Sequence, residues 1–357
     1  MMKKQYSHLV LFLSLCTLTA CNDSKNEDSI DPDPLPPSIT YHVEGYAELG
    51  AFDHNSTLTV FPLDKSLAHI EEQAYGGKVE TDYGLFSASG NMKFQESLYF
   101  EVQVTGNFFN GTKGRRSEHK TTLRAINHVI NHADEERSIN RYIKLPATNV
   151  NIFTQLTAAR ICTLLKKAAG YNEMSHTITD IYRNASEQAL KEVLTAFSIS
   201  DIYVSMLSID PTRASFSQYN APASMMAAVS NILLTSVDEE LLDTFFTEWD
   251  KDFAPDGRID NEDIKESIRD GQQSLKYTNV YKQLDSFYKA YDFKSDFPEF
   301  WKFVDRNGDG ILDKQDKPDD FEITEEELTP SQQQCIQLLE QVNKYLRDFL
   351  QTECVWE

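Results

Sequence analysis

Twelve residues near the C-terminal end, 305–316, place oxygen-bearing side chains at a spacing with a known use. Asp305, Asn307 and Asp309 occupy the first, third and fifth positions, where short side chains converge on one hard cation as the backbone curls around it. Gly310 at the sixth position permits the sharp turn. Ile311 would give its carbonyl, Asp313 would reach the ion directly or through water, and Asp316 would close the shell, while Leu312 points into the core. Four carboxylates in one turn repel one another at short range, and a divalent ion relieves that. The expected ion is calcium, which takes oxygen ligands in a flexible shell. Outside a cell, a site with a dissociation constant of about 0.1–1 mM stays filled and acts as a staple.

At the twelfth position a sensor-type loop has Glu, whereas Asp316 is one methylene shorter. In this the dodecamer resembles the loops of dockerin modules. A degraded echo lies upstream at 252–263. With Asp256 and Gly257 at positions five and six, Asp252, Asp260 and Asp263 fall at one, nine and twelve, and Arg258 would offer its carbonyl at seven. Ala254 stands at position three and has no side-chain ligand, so this second metal candidate competes with a rigid acidic turn between two helices. The separation of the two loops is too long for the tandem pair of a dockerin, and cohesin binding is not expected.

Other pairings of reactive residues carry less. His128 and His132 have a metal-compatible spacing, but Val129 follows the first His where a zincin has its general-base Glu, and the segment reads as a polar loop. Ser286 and Lys289 share the spacing of penicillin-binding proteins without the companion Lys-Thr-Gly triplet. Ser87-Ala88-Ser89-Gly90 is not a nucleophile elbow. With no catalytic constellation evident, no enzymatic activity is expected.

The elements that would position the loops follow from periodicity. Between 39 and about 126, runs such as Thr57-Leu58-Thr59-Val60-Phe61 and Phe100-Glu101-Val102-Gln103-Val104 alternate in the manner of strands, with polar side chains on one face. Glycines at 50, 84, 90 and 106 supply turns. From Val150 the period becomes helical. Phe153, Leu156, Ile161 and Leu165 form one stripe, Ile178, Tyr182, Ala189 and Val193 a second, and 221–234 a third in which Met225 and Met226 fill the core. Thr177 and Asp180 are spaced as a variant capping box. Leu242, Phe245 and Trp249 lead into the second loop, and Phe297, Phe300, Trp301 and Phe303 anchor the main one. Thr329 caps a closing helix through Ile336, Leu339, Val342 and Leu346.

The fold class expected is multidomain α+β: a small antiparallel β-sandwich followed by a mainly α-helical domain with EF-hand-like loops. The divisions are a lipoprotein signal peptide at 1–20, a disordered tether at 21–38, the sandwich at 39–147, a helical domain at 148–275 and a helical C-terminal part at 276–357. The chain of 357 residues exceeds what one core usually organises.

The N-terminus combines Lys3 and Lys4, an apolar run from Leu9 to Leu18, and Leu18-Thr19-Ala20-Cys21, which resembles a lipobox. By resemblance to bacterial lipoproteins, cleavage before Cys21 leaves that cysteine to carry the acyl chains, which hold a protein to a membrane without a spanning segment. The stretch after it is charged and then proline-rich, and cannot bury a core. Asn22 departs from the inner-membrane retention signal of enteric-type bacteria, so the outer membrane, facing either way, is the expected location. A formal net charge of −22 leaves no basic stripe for nucleic acid. Cys162, Cys335 and Cys354 remain after processing; the last two sit on one expected helix, too far apart to bond, and no disulfide framework is expected.

The runs Gly50-Ala51-Phe52, Ser56-Thr57-Leu58-Thr59-Val60, Thr81-Asp82-Tyr83-Gly84-Leu85-Phe86 and Val104-Thr105-Gly106-Asn107-Phe108-Phe109-Asn110-Gly111 resemble the N-terminal module of uncharacterised bacterial surface lipoproteins. That module is similar to carboxypeptidase regulatory-like, transthyretin-type sandwiches. The likeness continues through residues 149–156 and Ala159-Arg160-Ile161, then resumes near 252–260 and at the main loop, while Asn107 and the basic pair Arg115-Arg116 depart from it. The resemblance implies architecture and location without an activity. Together these features lead to the expectation of a lipid-anchored, calcium-binding envelope protein acting in binding or surface assembly on an unidentified protein or glycan. The alternative is a secreted-type, glycan-processing enzyme or accessory whose sandwich presents substrate.

Overall fold

The computed structural model describes residues 39–92, 98–129, 142–173, 177–292 and 297–318, with 337, 338, 341 and 344 beyond them. The export segment with Cys21, His132, Cys335, Cys354 and nearly all of the closing helix lie outside the described residues. The fold is α+β. Strands β1 (Ile39–Glu48), β2 (Thr57–Leu63), β3 (Tyr75–Val79), β4 (Leu85–Met92), β5 (Tyr99–Gly106), β8 (Thr121–His128), β9 (Tyr142–Lys144) and β10 (Val150–Asn151) form one sheet. The two-residue strands β6 (Phe109–Asn110) and β7 (Arg115–Arg116) pair separately.

The sheet runs β10-β1-β4-β3-β2-β5-β8, with β9 also on β1. Two antiparallel pairs, β1 with β4 and β2 with β5, would make the halves of a sandwich. Strand β3 pairs with both β2 and β4, and so joins them into one curled sheet. The sheet is mixed, because β9 and β10 run parallel to β1, with Thr40 opposite Tyr142 and Ala47 opposite Val150. Pro146 has no amide to donate, which divides the returning segment into two short strands. The curl brings β8 near β10, and Asn127 at the end of β8 donates to the Thr148 hydroxyl at 2.9 Å across that seam.

Helices follow: α1 (Ile152–Lys167), α2 (Ile178–Ala196), α3 (Ile202–Leu207), α4 (Ala221–Ser236), α5 (Leu242–Phe253), α6 (Glu262–Ser274) and α7 (Tyr277–Lys289). The stripes read from sequence fall on α1, α2, α4 and α5, and Met225 and Met226 are fully buried in α4. Thr177 makes no side-chain cap on α2. The capping box is one helix earlier, where the Asn151 side chain accepts the Thr154 amide at 3.0 Å and Thr154 returns to the Asn151 amide at 2.8 Å.

Sheet and helices share a hydrophobic cluster that reaches from Val43 and Val102 through Phe153, Met225 and Trp249 to Phe303. A smaller cluster places α1 and α2 against Tyr99 and Ile126. Gly271 lets α6 approach α4 closely, since a Cβ there would stand 2.3 Å from the Ile232 carbonyl oxygen. Among the described residues no helix is long and apolar enough to cross a membrane.

Candidate metal centre

The main loop leaves a buried aromatic lead. Phe297, Phe300 and Phe303 are buried, and a 3-10 turn at Trp301–Phe303 delivers Asp305 beneath the loop. Asp305 is 3% exposed, and its two oxygens accept the amides of Gly308 and Gly310 at 2.9 Å each. Both glycines hold left-handed backbone, at φ 73° and 77°. Asn307 accepts from the Asp309 amide, and Asp309 from the Ile311 amide, so side chains hold successive turns of the loop. Leu312 packs on the main core, as its position requires.

Asp316 seals the loop. Its oxygens accept the amides of Arg306 at 2.8 Å and Asp313 at 3.0 Å, and Asp313 caps the closing 3-10 turn Lys314–Asp316. Burial pushes the Asp316 carboxyl above the usual range against the pull of those amides, and the charge of Asp305 adds to the rise. Among the described residues no cationic side chain pairs with Asp305, Asp309, Asp313 or Asp316, and no three His, Cys, Asp or Glu side chains form a metal cluster. The proposed set draws on Asn307 and the Ile311 carbonyl as well, and these oxygen donors fit a hard cation. A carboxylate oxygen that accepts one amide keeps a second lone pair for an ion. A 3-10 turn at Trp301–Phe303 precedes the loop, and another, Lys314–Asp316, forms its last three residues.

The second loop is a helix–loop–helix between α5 and α6. Asp252 accepts the amides of Asp260 at 2.8 Å and Asn261 at 3.1 Å, Asp256 accepts that of Arg258, and Gly257 sits at φ 80°. Asp263 is exposed in the first turn of α6, which Asn261 caps. A cation of the protein's own serves this loop. The Arg160 guanidinium donates to the carbonyls of Ala254 at 3.1 Å and Pro255 at 2.9 Å while holding Glu192 at 2.7 Å. The tertiary fold brings the two loops together: residues 257–259 and 308–310 line the same cleft of about 570 Å³.

Sequence reasoning missed a second polar cluster. Glu101 was read on a polar strand face, yet it is 3% exposed because that face lies under α1 and α5. His69 reaches it at 3.1 Å and Arg124 at 3.6 Å, and Arg124 pairs in turn with Asp250. The hydrogen bond to Glu101 raises the His69 pKa. Burial would raise Glu101, but His69 and Arg124 bring it below its ordinary value. Burial lifts Asp250 to about 6 and the neighbouring Cys162 thiol to about 11, which leaves that thiol unreactive. The alternating charges form a structural brace. The signal in the sequence was a Glu and an Arg at diagonal positions of paired strands, legible once their register is known.

His128 is not in a loop. It ends β8, buried against Tyr182, with burial lowering its pKa to about 4 and Thr179 3.1 Å from Nε2. Comparison with family models, with curated proteins and with solved structures finds no match to this chain.

Proposed function

We propose that the protein is a lipid-anchored, calcium-binding envelope protein that acts by binding or surface assembly. The resemblance to surface lipoproteins and the reading of the loops as EF-hand-like belong to this proposal, as does a sandwich-like role for the curled sheet in displaying the helical part. The observation that carries it is the loop at 305–316, where the buried Asp305 carboxylate, with no ion-pair partner among the described residues, accepts two left-handed glycine amides. A carboxylate at that depth is costly without a counter-charge, and a divalent cation supplies one.

Calorimetric titration of calcium into residues 38–357, which form one compact unit, tests the ion. Binding heat and a higher melting temperature are expected, since ligand at about a hundred times its dissociation constant adds about 2.7 kcal/mol to the folded state. A chain that gives neither refutes the calcium reading. For the anchor, labelled palmitate should enter the full chain and be lost in Cys21→Ala, with that variant released from membranes.

A further inference from the structure

We infer that the cleft between the two loops binds a sugar acid, with calcium in the 305–316 loop setting its affinity. This rests on the calcium reading. The cleft is of the size that small ligands occupy. Its charged lining is Glu192, Arg258, Lys265, Arg269, Asp305 and Asp309. Glu192 is held by Arg160 at 2.7 Å and Lys265 by Glu262 at 2.8 Å. What remains is Arg258 and Arg269, which line the same cleft as Asp305 and Asp309. Neither arginine forms an ion pair among the described residues, although the charge of Glu262 reaches Arg269 and the chain carries a net charge of −22.

Without an ion the two aspartates repel a carboxylate that the two guanidinium groups attract. A calcium ion held in the loop cancels two of its four negative charges and so weakens the repulsion. Guanidinium groups recognise carboxylates through paired N–H donors. The rest of the lining fits a pyranose ring better than a bare ion. Ile259 and Ile268 offer an apolar floor, and Ser198 offers a hydroxyl, while the buried Gln272 amide is held by the Phe197 carbonyl. Coupling between ion and ligand is reciprocal, so the sugar acid should also tighten calcium.

The test is calorimetry on residues 38–357 with glucuronate, glucose and inorganic phosphate, each in saturating calcium and in chelator, with blanks lacking protein. Glucuronate should bind in calcium and weaken about tenfold in chelator, while glucose gives no heat. Arg269→Gln and Arg258→Gln, both at exposed side chains, should each weaken glucuronate about tenfold and leave calcium binding intact. Absence of glucuronate heat, phosphate binding as tightly as glucuronate, or unchanged affinity in both arginine variants would overturn the cleft assignment, and equal affinity in calcium and chelator would overturn the coupling. Failure of calcium alone to give heat refutes the loop reading and the coupling; a glucuronate site that still depends on Arg258 and Arg269 would then preserve the cleft assignment.

Discussion

The Asp305 carboxylate accepts the Gly310 amide at 2.9 Å, and Gly310 holds φ at 77°, so one hydrogen bond fixes both the base and the bend of the loop. Among the described residues, chain neighbours aside, nothing lies within 4 Å of where a Gly310 Cβ would stand, so a substitution there tests backbone strain. Gly310→Ala should cost about 1–2 kcal/mol by urea denaturation and weaken calcium. Gly310→Asn should cost less, since Asn tolerates the left-handed region. Equal losses for the two variants would contradict the strain account.

The two loops should differ in ion content. Arg160 already satisfies the Ala254 and Pro255 carbonyls, and Ala254 contributes no side-chain oxygen. Calcium stoichiometry by calorimetry is therefore expected to be one per chain, and Asp305→Asn should abolish most of the heat. Arg160→Met should destabilise by about 3–5 kcal/mol, because Glu192 then loses its partner in a mostly buried pair. Two equivalents of calcium would show that Arg160 does not substitute for an ion.

Strand β8 ends the sheet, and side chains cover its outward amides. Asp243 accepts from Thr122 at 3.0 Å and Gln155 from Arg124 at 2.9 Å. Edge strands left open invite pairing with other chains. Gln155→Leu leaves a buried amide without an acceptor and should cost about 1–3 kcal/mol. The urea midpoint reads this directly, and light scattering should show the variant associating more readily. A midpoint unchanged from wild type would mean water replaces the glutamine.

Glu48 ends β1 fully buried, accepting from the Phe216 amide and the Ser215 hydroxyl at 3.1 Å each. Burial raises its pKa to about 8 from an ordinary 4.5. The folded chain thus binds a proton that the unfolded chain releases above pH 4.5, so this group's contribution falls as pH rises from about 4.5 to 8. Glu48→Gln carries no such penalty. Its stability relative to wild type should climb across that window, by at most about 1.4 kcal/mol per pH unit, and level off beyond it. A difference that does not vary with pH would show that Glu48 stays ionised in the fold.

Local spacing made a large part of this molecule legible. The dodecamer at 305–316, the stripes that became α1, α2 and α4, and the alternation in β2 and β5 depend on residues a few positions apart, and backbone geometry alone sets which of their side chains share a face. The proposed export and lipidation signal around Cys21 also rests on contiguous residues. Other features needed the tertiary structure, because they join residues far apart in the chain. Only the pairing of β3 with both neighbours made one curled sheet of two antiparallel pairs. Only the packing of α1 and α5 over β8, which pairs with β5, turned the polar face at Glu101 into a buried charge brace. The cleft has the same origin: Arg258 and Asp309 come to line one space because α6, packed closely on α4 at Gly271, carries the second loop toward the first, and no local period encodes that approach.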